Sequence, residues 1–175
     1  MLKLRAHKGP SRVAARALHS AAVSQAREPV FYLALGVSDT PEGRFEALTL
    51  HIVMLIHRLN APSSDLGDLS QRVFDVYVSD LDGAMREMGV GDLAMSKRMR
   101  ALGEAFYGRA TAYDAYSRNA LENDQWAAFL HRTVLEDRPG TDTTLLQDYV
   151  RACRKSLRTQ TDENLGAGRV TWPTP

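Results

Sequence analysis

The sequence has few of the features that several classes of protein need. Its single cysteine, Cys153, excludes an internal disulfide and a zinc site with paired thiolates, and it favours a reducing compartment. The longest apolar runs, residues 30–37 and 51–56, fall well short of the roughly 20 residues that a membrane-spanning helix needs. The N-terminus also lacks the apolar centre of a secretory signal. The chain is therefore expected to be soluble, or at most associated with a membrane surface.

Acidic residues are missing from the first 27 positions. The segment carries six of the 22 basic residues, whereas all 21 acidic residues come later: the six are Lys3, Arg5, Lys8, Arg12, Arg16 and Arg27. Such a segment could approach an anionic surface, either lipid headgroups or ribosomal RNA. It also resembles a transit peptide. The simplest interpretation is a first core helix whose solvent face is basic, so residues 1–27 are described as a basic N-terminal segment or first helix.

Helical periodicity runs along almost the whole chain. With 175 residues, 44% hydrophobic and 25% charged, the chain is long enough for one domain with a proper core. The apolar spacing predicts an all-α, single-domain bundle of about six helices. These helices are expected near residues 11–27, 40–59, 68–88, 93–117, 124–135 and 144–157. Residues 28–158 would form the folded domain, and residues 159–175 a loose tail.

Several helix ends have recognisable signals. Asp39, with a glutamate three residues later, makes a capping box, while Thr40 before a proline is the competing N-cap. Asp68 starts a second capping-box pattern. Ser11 could cap the first helix.

The residues between the third and fourth helices predict a tight connection. Gly89 occupies the position of a helix C-terminal glycine, which can adopt the left-handed backbone that satisfies the last carbonyls. Val90 would then fold back near Met85, and after Gly91 the side chain of Asp92 could cap the next helix.

No set of residues has the spacing of a catalytic or metal site, so no catalytic residue, metal ligand or cofactor is predicted. Residues 80–83 resemble a calcium loop, but the later acids do not fit the twelve-residue pattern. Residues 89–91 resemble part of a phosphate loop, yet they follow a helix instead of a strand. His51 and His57 point to different faces of one predicted helix. Basic neighbours could lower the pKa of Cys153, but no histidine accompanies it.

Six charged residues could join three helices. They are expected either to form one partly buried ion network or to be separate solvated charges: Arg44, Asp80, Arg86, Glu87, Asp92 and Arg109. Removal of one member of a buried pair would cost roughly 3–5 kcal/mol, whereas an exposed pair contributes under about 1 kcal/mol.

Three glycines and two tyrosines do not fit the apolar stripes. Gly83, Gly103 and Gly108 fall inside predicted helices, where glycine costs about 1 kcal/mol relative to alanine. Close helix crossing is the simplest reason, and a groove for a bound client is the alternative. Tyr107 and Tyr116 lie beside the main stripe of their helix, so both are candidates for an exposed recognition surface.

Several blocks of residues resemble the ubiquinol-cytochrome c chaperone family, whose members are assembly factors for respiratory complex III. They occur in the family's order over about residues 28–117: Pro29-Val30-Phe31-Tyr32, Gly36-Val37-Ser38-Asp39-Thr40, Gly43-Arg44-Phe45-Glu46 with His51, Arg86-Glu87-Met88-Gly89-Val90-Gly91-Asp92, and Ala105-Phe106-Tyr107-Gly108-Arg109 with Ala112-Tyr113. The chain lacks the long N-terminal extension of mitochondrial members, so a bacterial member is expected.

The resemblance implies a non-enzymatic chaperone that binds newly made cytochrome b. A small partner subunit, the ribosome or an anionic membrane surface are further candidate partners, and DNA is not. The expected location is cytoplasmic and peripheral on the inner membrane, or the mitochondrial matrix in a eukaryote. The alternative is a helical protein that binds haem or a quinone-like molecule in a cavity lined by methionines, which are Met85, Met88, Met95 and Met99.

Two groups of residues follow from these interpretations. The candidate client-binding residues are Arg86, Glu87, Lys97, Arg98, Tyr107 and Arg109. The residues expected to support the motif structurally are Arg44, Asp80, Gly89, Gly91, Asp92 and Gly108.

Overall fold

The computed structural model of the chain describes residues 12–119 and 123–175. Those residues form eight α-helices and no strand, in the order α1 (Arg12–Ala26), α2 (Pro29–Leu33), α3 (Pro41–Leu59), α4 (Gly67–Glu87), α5 (Asp92–Ser117), α6 (Asn123–Thr133), α7 (Thr144–Thr159) and α8 (Asp162–Gly166). The prediction of a single all-α domain is confirmed. The two helices beyond the predicted six are α2 and α8, which are each only five residues long and therefore show little periodicity in the sequence.

The N-terminal caps differ in part from the predictions. Thr40 caps α3, because its hydroxyl accepts a hydrogen bond from the backbone N–H of Gly43 at 3.0 Å. Asp39 instead binds Arg44. The prediction that Asp68 caps α4 was wrong, since Leu66 holds that position and Asp68 lies in the first turn. The predicted cap Ser11, like Lys3, Arg5 and Lys8, lies outside the described residues.

The connection between α4 and α5 has the predicted form. Gly89 adopts a φ of +81°. The N–H of Val90 donates to the carbonyl of Met85 at 3.0 Å, and the N–H of Gly89 donates to that of Arg86 at 3.0 Å. This pair of bonds is the Schellman motif that closes a helix. Gly91, however, is the N-cap of α5, so Asp92 is its first residue and makes no capping bond.

Helix α3 is the centre of the bundle. It packs against α1, α4, α5 and α7. Its buried side chains lie on nearly all of its faces, as expected for a helix enclosed by others; the apolar ones are Ala47, Leu50, Ile52, Val53, Met54, Leu55 and Leu59.

A buried hydrogen-bond chain joins α3 to α7 and α1. The Nδ1–H of His51 donates to the carbonyl of Ala47 at 2.7 Å, since that oxygen can only accept. The Nε2 of His51 therefore accepts from the hydroxyl of Tyr149 at 2.7 Å. The same hydroxyl accepts from the amide of Gln25 at 3.1 Å. Next to it, burial raises the pKa of the Cys153 thiol to about 12, opposite to the lowering that its basic neighbours in sequence suggested.

The C-terminal segment is packed, so the prediction of a loose tail was wrong. It contains α8, whose Leu165 is fully buried. The Trp172 ring lies edge-on to His51 at 5.0 Å between centroids. The carbonyl of Pro173 accepts from Gln25 at 3.0 Å. These contacts are to residues more than 100 positions earlier, which a local polar pattern does not indicate.

The glycines inside helices also differ from the expectation. A Cβ added at Gly83, Gly103 or Gly108 would meet no atom within 4 Å outside its own helix backbone, so the prediction of close helix crossing was wrong. Close approach occurs instead at Gly43. There a Cβ would collide with the carbonyl oxygen of Ser38, which belongs to the backbone and cannot move aside without a shift of the chain.

Gly43→Ala and Gly108→Ala are expected to change stability in opposite directions. The first forces α3 away from the Ser38 backbone and should lower the unfolding free energy by about 1–3 kcal/mol. The second fills open space in a helix and should raise it by about 0.5–1 kcal/mol. Urea denaturation of both variants measures the two changes. Small effects of the same sign at both positions would contradict the contact at Gly43.

His51 is expected to make stability depend on pH. Burial lowers its pKa to about 4 from the ordinary 6.5. The unfolded chain therefore binds more protons between these values, so stability falls as the pH drops from about 6.5 to about 4. His51→Gln, which cannot titrate, should lose that part of the slope in denaturation experiments over a pH series. His19 and His57 remain in both proteins, so an unchanged slope in the variant would exclude the assignment to His51.

Candidate functional site

An open apolar groove lies among five helices. Its volume is about 540 Å3, and it is lined by the end of α1, Tyr32 of α2, the first turns of α3, the second half of α4 and part of α5. The larger apolar side chains that line it include Val23, Phe45, Leu48, Leu81, Met85, Met88 and Leu102. Helix α4 packs on α1 and α3, and α5 packs mainly on α3, so the space between α4 and α5 is left unfilled.

Two methionines form part of the groove wall. Met85 is buried, whereas Met88 is 62% exposed. Methionine is flexible and polarizable, so such a wall adapts to differently shaped apolar partners. The methionine cavity expected from the sequence forms only in part, because Met95 and Met99 are not among the groove residues.

Charged residues of both signs surround the groove. They are Arg27, Arg44, Arg98, Glu42, Glu46 and Asp80. Arg44 is bound by Asp39 at 2.7 Å. Asp80 lies 3.8 Å from His19, and burial lowers the pKa of that imidazole. Within the part of the chain that the structure describes, Arg27 and Arg98 form no ion pair.

A buried ion pair lies at the side of the groove. Arg109 on α5 binds Glu46 on α3 through two nitrogens, with Nε donating to Oε2 at 2.6 Å. Arg109 also donates to the carbonyl of Ala105 at 2.9 Å. The two side chains are only 20% and 10% exposed. Burial raises the pKa of Glu46, and the bonds from Arg109 oppose this rise.

The six charged residues expected to form one network do not do so. Arg86 binds Asp82 at 2.8 Å and Asp92 at 3.0 Å, and its side chain is 54% exposed. Arg109 binds Glu46 instead. Because Asp92 and Arg109 are 17 residues apart on one helix, they are separated by roughly 25 Å. The six residues therefore do not form a single buried network, and the pairs of Arg86 are exposed, as the alternative of solvated charges expected.

The candidate client-binding residues lie in different places. Arg98 lines the groove, and Lys97 is exposed beside it in sequence. Glu87 lines a second, more polar cleft of about 750 Å3 between α1 and α4, where Arg12 and Arg16 also lie.

The two candidate tyrosines have different surroundings. Tyr107 is exposed, with its ring 6.3 Å from that of Phe74. Tyr116 is buried and stacks on Trp126 at 4.5 Å, so the prediction that it is exposed was wrong. Of the candidate client-binding residues, the residues expected to support the motif and the four methionines, Arg44, Asp80, Arg98, Met85 and Met88 line the groove.

Sequence reasoning did not assign the main apolar residues of the groove to a site. Phe45, Leu81 and Leu102 follow the periodicity of ordinary core positions, and in the structure each is only half-buried. The missing signal is tertiary, because the pattern of one helix does not reveal whether a neighbour covers it.

Comparison with known proteins gives two matches. The family model described as Ubiquinol-cytochrome C chaperone matches residues 33–172. Among solved structures, the chain is similar to the crystal structure of the Cbp3 homolog from Brucella abortus. The TM-score is 0.83 at 35% sequence identity, over 93% of this chain and 90% of that one. No protein of curated function matches.

Arg109→Ala and Arg86→Ala separate the buried pair from the exposed one. Removal of Arg109 leaves the Glu46 carboxylate buried without its partner and should cost about 3 kcal/mol. Removal of Arg86 breaks exposed pairs and should cost under about 1 kcal/mol. Thermal melting measures both. Equal midpoints for the two variants would contradict the difference in burial.

Proposed function

We propose that this chain, which belongs to the ubiquinol-cytochrome C chaperone family, assists assembly of ubiquinol-cytochrome c reductase by holding newly made cytochrome b in its apolar groove. Family membership supports the role in assembly. The observation that carries the binding site is the open groove of about 540 Å3 with a methionine wall. Its action is to bind, not to catalyse.

The groove is suited to one face of an apolar helix. Its volume lies within the range of about 300–1,000 Å3 that ordinary binding sites have. It can take several side chains, and each square ångström of apolar surface removed from water contributes about 25 cal/mol. A client held along one face only can be released again, as an assembly step requires.

The charge of the N-terminal segment supports contact with larger assemblies. The basic N-terminal segment favours an anionic surface, either the inner membrane or ribosomal RNA near the site of synthesis. A small partner subunit would need a surface away from the groove. No described helix combines the length and the apolarity needed to cross a bilayer. The proposed location, peripheral on the inner membrane, rests on the basic segment and on the family.

The groove also supports a second candidate function, the binding of haem or a quinone-like molecule. Its volume and the side chains of Met85 and Met88 favour this. Exposure of 62% for Met88 makes it a weak candidate for a ligand that must be enclosed. Titration with haem and with quinone analogues, followed by absorbance and thermal melting, tests this alternative, and a spectral or thermal shift would favour it.

Met88→Lys is expected to reduce capture of cytochrome b severalfold. The change places a charge in the apolar groove, whereas a cation at the C-terminus of α4 suits the helix dipole, so the fold is preserved. Leu145→Lys is the matched control, because Leu145 is also exposed, at 56%, but lies on α7 outside the groove. The measurement is recovery of cytochrome b after cross-linking in membranes and affinity purification. Equal recovery with both variants would exclude the groove as the binding site.

A further inference from the structure

The connection between α4 and α5, with the first turns of α5, carries exposed apolar side chains. We call residues 85–100 the α4–α5 tip. Leu93 is fully exposed and Met88 is 62% exposed. The first nine residues of α5 include only one buried side chain, that of Met95. Single exposed leucines are common on protein surfaces, but Leu93 is followed by a cluster of basic residues on the same helix.

Basic residues follow Leu93 along α5. Lys97, Arg98 and Arg100 are exposed, and within the described residues they form no ion pair. The tip contains four basic and two acidic residues. One of the acids, Asp92, is already bound by Arg86 at 3.0 Å. The tip therefore has a net positive charge.

The spacing of these groups matches the depth of a bilayer interface. Lys97 is one turn after Leu93 on the same face, roughly 6 Å along the helix, and Arg100 is roughly 10 Å along it. Interfacial segments bury their apolar side chains about 5–10 Å into the boundary between headgroups and acyl chains. Lysine and arginine side chains then extend towards the phosphates.

We infer that the α4–α5 tip docks on anionic phospholipid bilayers, with Leu93 inserted and Lys97 and Arg100 at the headgroups. The groove begins at Met88 and Arg98, which belong to the tip. Docking would thus place the open groove at the membrane surface, where apolar segments of a client are presented. RNA would use the positive charges alone, so the exposed Leu93 favours lipid. The purpose of docking rests on the proposed function, but vesicle binding is measured without a client.

The test is flotation of the full chain with vesicles of phosphatidylcholine containing phosphatidylglycerol, and with vesicles of phosphatidylcholine alone. The wild-type chain should bind the anionic vesicles, and binding should weaken as salt is raised. Leu93→Ser should weaken binding about tenfold, because it removes most of the inserted apolar surface. Lys97→Glu and Arg100→Glu should each weaken it about fivefold or more. Leu145→Ser is the matched control and should bind like the wild-type chain.

Three outcomes would overturn the proposal. The first is undiminished binding by Leu93→Ser, and the second is loss of binding through Arg12→Glu with Arg16→Glu alone, since these lie on α1. The third is binding of a mixed-sequence RNA but not of vesicles. All substituted residues are exposed, and thermal melting checks the fold of each variant. Capture of detergent-solubilised cytochrome b by Leu93→Ser separates the two proposals. If cytochrome b is captured but no form of the chain binds vesicles, membrane docking is excluded and the proposed function stands. If the chain binds vesicles but does not capture cytochrome b, the proposed function fails and membrane docking stands.

Discussion

Three buried polar side chains within one six-residue stretch of α3, residues 46–51, set the positions of the surrounding helices. Glu46 binds Arg109 on α5, the hydroxyl of Thr49 lies 2.7 Å from that of Tyr77 on α4, and His51 binds Tyr149 on α7. A buried polar group without a partner costs about 1–3 kcal/mol. Each bond therefore fixes one neighbour at one height along α3, whereas apolar packing alone would tolerate sliding.

The groove follows from this arrangement. Helices α4 and α5 are consecutive, and the bonds at Gly89 and Val90 end α4. The two helices nevertheless pack little against each other, since α4 packs on α1 and α3 and α5 packs mainly on α3. Tyr77 and Arg109, which bind these helices to α3, lie well away from the connection. The connection itself has no comparable anchor, so the side chains near Met88 and Leu93 stay uncovered. An open apolar surface next to a firmly held core is thus a consequence of where the polar bonds lie.

Local patterns predicted what local physics decides. Apolar spacing predicted the six longer helices to within a few residues, and Gly89 predicted the helix ending because a left-handed residue was needed there. Contacts between residues far apart in the sequence were not predictable. Glu46 and Arg109 are 63 residues apart, and nothing near either one indicates its partner. Gly43 looked like an ordinary helical glycine, since the approach of the Ser38 backbone is tertiary. The candidate site depends most on such long-range contacts, and it was therefore the least predictable part of the structure.

The contacts that stabilise the fold and the proposed binding surface lie on different sides of α3. On one side the chain from His51 through Tyr149 to Gln25, with Trp172 against the imidazole, ties together the beginning and the end of the sequence. On the other side, few buried contacts hold the α4–α5 tip, and such regions open at a lower free energy than the core does. Movement of the tip would leave the bonds of His51 intact. This separation suits the proposed function, because a binding surface in the groove could adapt to a client and release it without loss of the fold that positions it.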